Sequence, residues 1–375
     1  MSPILDSRRS AVAASTVQER TLRPEIRELS AYAVPDSSGM LKLDAMENPF
    51  LWPASMREAW RREVADVALN RYPDAAAVPL KSQLRRVMAV PDRIEILLGN
   101  GSDEIIQIIQ LALAVGQRPV LATDPSFVMY GTIARWLGRP FVAVALDAQF
   151  SLDIVAMLEA IGRTQPSCVF IASPNNPTGN LFATQHIEQI IEATDGLVVI
   201  DEAYQPFAGM SLMPLLAKYD NVVILRTLSK LGLAGLRLGY LLGSIEWLRE
   251  FDKVRMPYNI NSLSQVSAVF ALQHYDVLES QVQTLCAERQ RLIAGLRQRD
   301  GLEIYPSDTN FIMFRVPSDR SESFHDGLVD HGILIKKLGG PRLAGCFRVT
   351  VGTPEQNDMF LAGLDAVLER RPDIF

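Results

Sequence analysis

Apolar residues in the first two thirds of the chain gather in short continuous runs rather than alternating with polar ones. The runs span residues 94–98, 120–123, 141–145, 168–172, 197–200, 222–225 and 240–242. Strands buried on both faces read this way, and sheets covered on both faces are mostly parallel. Between the runs, residues 103–115, 152–161 and 184–193 carry apolar side chains at helical spacing. Such strand–helix alternation predicts βαβ units and an α/β fold. The rhythm changes near residue 260. Residues 263–275 and 276–300 read as helices, followed by short strands at 310–315 and 347–351 and a terminal helix at 354–369. The pattern predicts an arm and part of a small domain in residues 1–50, a large domain in 51–262, and a small C-terminal α+β domain in 263–375. There is no internal repeat and no low-complexity linker.

Composition narrows the classes of function. The 375 residues are 48 % hydrophobic and 21 % charged, as in a folded, water-soluble protein. The formal net charge is −6 and no run of Lys or Arg occurs, so no nucleic-acid partner is expected. No apolar stretch approaches the roughly 18 residues of a membrane span. Asp6 and Glu19 argue against a targeting segment, leaving a loose N-terminal arm. Cys168, Cys286 and Cys346 are scattered and odd in number, which fits neither a disulfide framework nor a metal site and points to a reducing, cytoplasmic setting.

The polar residues that end the apolar runs carry the candidate chemistry. Ligands of open α/β sheets bind beyond the carboxyl ends of the strands, so these loops are expected to converge. Gly101-Ser102-Asp103 opens a helix and reads either as an anion cradle or as an ordinary N-cap. Phe127 follows the second run and either covers a flat ligand or fills core. Asn176, in the stretch SPNNPTG at 173–179, either presents its amide to a ligand oxygen or serves an Asn-Pro turn. Asp201 ends an apolar run, where a carboxylate needs a cation or donors. A protonated pyridine nitrogen and a protein arginine both meet that need. Lys230, after Thr227 and Ser229, is either a surface lysine or an amine placed to attack an aldehyde once its pKa is lowered.

Three stretches, 173–179, 201–204 and 227–240 (TLSKLGLAGLRLGY), resemble the fold-type I pyridoxal-phosphate (PLP) aminotransferases of class I/II. The resemblance implies a large domain with a mainly parallel sheet between helices plus a smaller α+β domain. It implies that Lys230 is the Schiff-base lysine, that Asp201 pairs with the ring nitrogen, and that Asn176 and Tyr204 bond the ring oxygen. Phe127 then covers the ring where relatives commonly carry Tyr or Trp. Gly101, Ser102, Asp103, Thr227, Ser229 and Arg237 hold the phosphate. The Lys230–Arg237 interval is one residue shorter than in many relatives.

Further segments resemble the branch of that family that acts on histidinol phosphate. They are 24–27, 29–32, 43–49, 70–73 and 347–352. The resemblance implies amino transfer from histidinol phosphate to 2-oxoglutarate in histidine biosynthesis, yielding imidazole acetol phosphate and glutamate. It implies a homodimer in which Tyr72 reaches the neighbouring subunit's cofactor and substrate. Tyr32, Asn48, Asn176 and Arg348 join Tyr72 as substrate-binding residues, Arg348 holding the carboxylate or phosphate. No metal is expected. An aromatic-amino-acid aminotransferase and a phosphothreonine decarboxylase share the fold. A PLP-binding transcription regulator would need a DNA-binding segment, and the residues before 90 are neither basic nor free of family resemblance.

Overall fold

The strands form where the apolar runs predict them, with small shifts at their ends. The computed structural model describes residues 17–31, 35–113, 116 and 118–370. Its strands in chain order are β1 Leu41–Lys42, β2 Glu95–Asn100, β3 Val120–Asp124, β4 Phe141–Ala145, β5 Cys168–Ala172, β6 Leu197–Asp201, β7 Val222–Thr227 and β8 Leu238–Gly243. They continue with β9 Glu303–Ile304, β10 Phe311–Arg315, β11 Ile333–Leu334, β12 Lys336–Lys337 and β13 Cys346–Thr350. Residues 1–36 and 37–375 separate into two units. In the first, the helices Val17–Thr21 and Pro24–Arg27 are described, while Tyr32 lies outside the described residues.

Seven strands of the second unit make one sheet in the order β2-β8-β7-β6-β5-β3-β4. Alternate residues of the central strands feed two cores. Val198 and Ile200 of β6 join one, and Leu197 and Val199 join the other. That is the physical source of the continuous apolar runs, since neither face meets water. The sheet is parallel except for β8, which runs antiparallel to both β2 and β7. The chain between Thr227 and Leu238 is taken up by two 3-10 turns, Ser229–Leu231 and Ala234–Leu236. That link is too short for a crossover helix, so the chain can only double back.

Helices also form at Ala54–Ala65, Val78–Val87 and Met129–Trp136, which the expected elements do not include. Only Met56 is buried in the first. The helix expected through residue 115 closes at Ala112, and residues 114 and 115 lie outside the described residues. A second, antiparallel sheet, β12-β13-β10-β9, packs against the long helix Tyr275–Arg297, which in turn contacts the terminal helix Pro354–Arg370. The segment before residue 50 is tied to this part of the chain. β1 pairs with β11, Leu43 O accepts from Thr350 N at 2.8 Å, and Met46 N donates to Thr350 Oγ1 at 2.9 Å.

Where β8 passes the start of the helix Ser102–Ala112, the two backbones touch. A Cβ on Gly239 would lie 2.6 Å from both the carbonyl carbon of Gly101 and the nitrogen of Ser102. Gly239→Ala should therefore force the helix start away from the sheet. The expected loss is about 1–3 kcal/mol of unfolding free energy, measured as a lower denaturant midpoint. An unchanged midpoint would show that this contact yields freely.

Candidate active site

The carboxyl ends of the strands meet at one cavity of about 240 Å³. Ser102 and Asp103 enter it after β2, Phe127 after β3, Asn176 after β5, Asp201 and Tyr204 from β6, and Thr227, Ser229 and Lys230 from β7. Arg237 enters just before β8, and Ala45, Met46 and Glu47 close the opposite side. Glycine at 101 is favoured by its backbone, whose φ of +85° suits few other residues. A Cβ there would sit 2.7 Å from a guanidinium nitrogen of Arg237 and would also push aside the end of that flexible side chain. No side chain caps the helix Ser102–Ala112. Its first N–H groups and Ser102 are thus free to meet an anion, with Arg237 beside them. The two 3-10 turns, with left-handed Gly232 and Arg237, take up the short Lys230–Arg237 interval and still deliver Arg237 to the cavity.

Asp201 is 4 % exposed. Its Oδ1 accepts from Ala203 N at 3.0 Å, and its Oδ2 accepts from the Tyr130 hydroxyl at 2.6 Å. Among the described residues no Lys or Arg pairs with it. The buried arginine, Arg226, is 2.8 Å from Glu202 instead. A buried, uncompensated carboxylate costs on the order of several kcal/mol, and here burial pushes the pKa up to about 6, against the pull of the two donors. The cavity thus holds an anion that lacks a protein cation, and a protonated ring nitrogen matches it in charge. Lys230 is poised in the opposite sense. Removal from water, then the positive charge of Arg348, push its pKa down to about 8, with Glu47 and Asp103 opposing. Its Nζ lies 5.6 Å from the centre of the Tyr204 ring.

Tyr204 is buried, which pushes its phenol up and keeps it protonated, and its hydroxyl reaches Met46 Sδ at 3.5 Å. Thr227 Oγ1 accepts from Ser229 N at 3.1 Å, fixing the turn that carries Lys230. Asn176 Oδ1 accepts from Arg348 Nη1 at 2.5 Å, leaving the amide nitrogen as a donor. Arg348 itself stands behind Asn176 in β13, its Nη2 donating to Asp44 O at 3.0 Å.

Among the described residues, three expected side chains do not line this cavity within one chain, and Arg348, held behind Asn176, is the first. Tyr72 is 81 % exposed and stacks on Tyr258 at 4.7 Å. Asn48 lines the adjoining cavity of about 270 Å³, and its amide is engaged by Gln281 and Phe50 N. Three participants escaped the sequence reading. Tyr130 sits on a helix with no polar signal around it. Glu47 arrives on a loop held by β13, far along the chain. The Glu202–Arg226 pair had a signal, a charge just inside or just past each of two apolar runs. Among the described residues no His/Cys/Asp/Glu group has the makings of a metal site, and no helix is long and apolar enough to cross a membrane.

The family model for aminotransferase class I and II matches residues 38–364. Over 347 residues the chain is 50 % identical to histidinol-phosphate aminotransferase 2 of Nitrosococcus oceani, an alignment covering 92 % of this chain and 96 % of that protein. It is 48 % identical over 360 residues to histidinol-phosphate aminotransferase 1 of Ralstonia nicotianae, covering 94 % and 96 %. The crystal structure of histidinol-phosphate aminotransferase from Sinorhizobium meliloti, in complex with pyridoxal-5'-phosphate, superposes with a TM-score of 0.84 at 25 % identity, covering 95 % of this chain and 99 % of that one.

The electrostatics of the cavity give a measurable consequence. An ordinary lysine becomes a free amine near pH 10.5, and Lys230 should do so near 8. Its labelling by an amine-directed reagent in the cofactor-free protein should rise with pH through about 8. A rise only above pH 10 would contradict the buried, Arg348-facing setting.

Proposed function

The chain belongs to the class I and II aminotransferase family, and on that premise we propose that it moves an amino group from histidinol phosphate to 2-oxoglutarate, as a step of histidine biosynthesis. The observation that carries this reading is the buried Asp201 carboxylate without a protein cation, across the cavity from a lysine whose proton is loosely held. Relatives of 45–50 % identity carrying the name histidinol-phosphate aminotransferase support the substrate.

The cofactor is PLP, which when bound supplies an electron sink for the carbon that loses its proton. In our assignment Lys230 holds it covalently, Asp201 takes its ring nitrogen, and the Asn176 amide and Tyr204 hydroxyl take its ring oxygen. Phe127 covers one face. The N–H groups from Gly101 to Asp103, with Thr227, Ser229 and Arg237, take its phosphate. Lys230, released as a free amine, accepts the proton from the amino-bearing carbon of the donor and returns it for the transfer. Arg348 holds the anionic group common to the two substrates, and its planar guanidinium suits a bidentate grip on carboxylate or phosphate. The donor's oxo product leaves before the second oxo acid binds.

We assign the active unit as a cytoplasmic homodimer. The strong exposure of Tyr72, with Leu69 and Met256 also exposed, supports a covered surface there. The free thiols of Cys168, Cys286 and Cys346 suit a reducing compartment. Residues 51–262 serve as the large domain, and 263–375 with part of 1–50 as the small one. Tyr32 and Tyr72 are assigned to the phosphate of the substrate, and Asn48 to the rim.

Steady-state kinetics after PLP loading test the substrate. Histidinol phosphate with 2-oxoglutarate should give a kcat/KM well above that of phenylalanine, with no decarboxylation of phosphothreonine. Negligible turnover of histidinol phosphate would overturn the assignment. In the same assay Lys230→Ala should lose on the order of 10²–10⁴-fold in rate, and borohydride should no longer fix the cofactor to the chain. For the dimer, sedimentation should show two chains, and Tyr72→Ala should raise KM for histidinol phosphate. Full activity in a demonstrated monomer would contradict the shared site.

A further inference from the structure

Asp201 owes its charged state to a residue outside the cavity lining. Tyr130, in the helix Met129–Trp136, is fully buried and reaches the carboxylate from behind at 2.6 Å. It has little freedom to do otherwise. Its ring stacks on Phe170 of β5 at 4.6 Å and 13°, and meets the edge of Phe127 at 5.6 Å. Its carbonyl accepts from the buried Gln110 amide at 3.0 Å, anchoring the helix to its neighbour. The residue that covers the cavity and the residue that grips Asp201 are thus three positions apart and packed as one piece.

The acids near Asp201 work against its charge. Asp103 enters from the helix after β2 and Glu202 follows directly in the chain, while Tyr204 beyond it is held protonated by burial. Arg226 on β7 is taken up by Glu202. Lys230 enters from the turn after β7, where Arg348, Glu47, Asp103 and Arg237 face it. The donors that favour the anion are the Ala203 N–H and the Tyr130 hydroxyl. Burial and the facing Asp201 raise the phenol far above its ordinary pKa, so it donates throughout the useful pH range.

We propose that Tyr130 is a positioning residue for the cofactor. By donating to Oδ2 of Asp201 it holds the carboxylate ionised and turned toward the cavity, where the ring nitrogen meets an oriented anion. This rests on the PLP reading above. Removing the hydroxyl takes away a donor that lowers the carboxyl pKa, so protonation of Asp201 moves up from about 6 toward neutrality.

PLP affinity of the cofactor-free protein, measured across pH 6–9, tests it in four proteins: wild type, Tyr130→Phe, Asp201→Asn and the double variant. Phenylalanine keeps the stack on Phe170, and circular dichroism checks the fold. Tyr130→Phe should bind PLP about twofold more weakly at pH 7 and about fivefold at pH 6, as a loss of about one hydrogen bond to the carboxylate implies, and recover as pH rises. In the Asp201→Asn background it should change little. Wild-type affinity in Tyr130→Phe at every pH overturns the proposal. So does a loss that is equal at all pH values and persists in the double variant, because that marks a packing defect. Wild-type PLP affinity in Asp201→Asn would instead overturn the pairing of Asp201 with the ring, and the proposal with it. Should Tyr130→Phe fail to fold, a ring-fluorinated tyrosine at 130, a stronger donor, should move the acidic fall in affinity to lower pH. An unmoved fall overturns the proposal.

Discussion

Keeping Asp201 charged inside the protein is the demand that the rest of the cleft answers. β6 lies between β5 and β7 in the middle of the sheet, and both of its faces are buried, so the carboxylate at its end is only 4 % exposed. Two protein donors offset part of the desolvation. The remainder is left for a ligand with a positive ring nitrogen, which converts an internal electrostatic deficit into binding free energy. A fold that paired Asp201 with its own arginine would be more stable alone and less able to bind.

The neighbouring acid shows that the omission is local. Glu202 N donates to Leu225 O, which sets Glu202 beside Arg226 on the next strand. The two side chains pair at 2.8 Å, and Ser211 and Leu212 N add donors to the same carboxylate. One buried acid is neutralised within the sheet and the next is not, although one peptide bond separates them. The paired acid also pins the segment that presents Tyr204.

Much of this was legible in the sequence, for physical reasons that differ from element to element. The central strands announced themselves because both faces are dry, and Asp201 and Lys230 stood out as polar residues closing such runs. The reversal of β8 was not visible in its apolar run, since direction depends on the length of the preceding link. Tyr130 was hidden because an aromatic residue at helical spacing reads as core, and it is core on every side except its hydroxyl. Glu47 and Met46 reach the cavity only through hydrogen bonds to Thr350 and Asn310, a pairing across most of the chain that no local pattern encodes. Tyr72 and Asn48 were identified by resemblance alone, and a single chain does not bring either to the cavity around Lys230.

Arg348 links the two halves of the chemistry. It bonds Asn176 and Asp44 O, so the loop that carries Met46 and the amide assigned to the ring oxygen share one guanidinium. The same charge is the second largest influence on Lys230, after burial, and favours its neutral form. On the function proposed above, an anionic substrate group drawn to Arg348 offsets that charge. Coulombic opposition to a proton on Lys230 then weakens, while the burial that lowers its pKa is unchanged. The lysine therefore gives up its proton more readily before substrate arrives and is a stronger base once substrate is seated. Both effects follow from one arginine placed against Asn176.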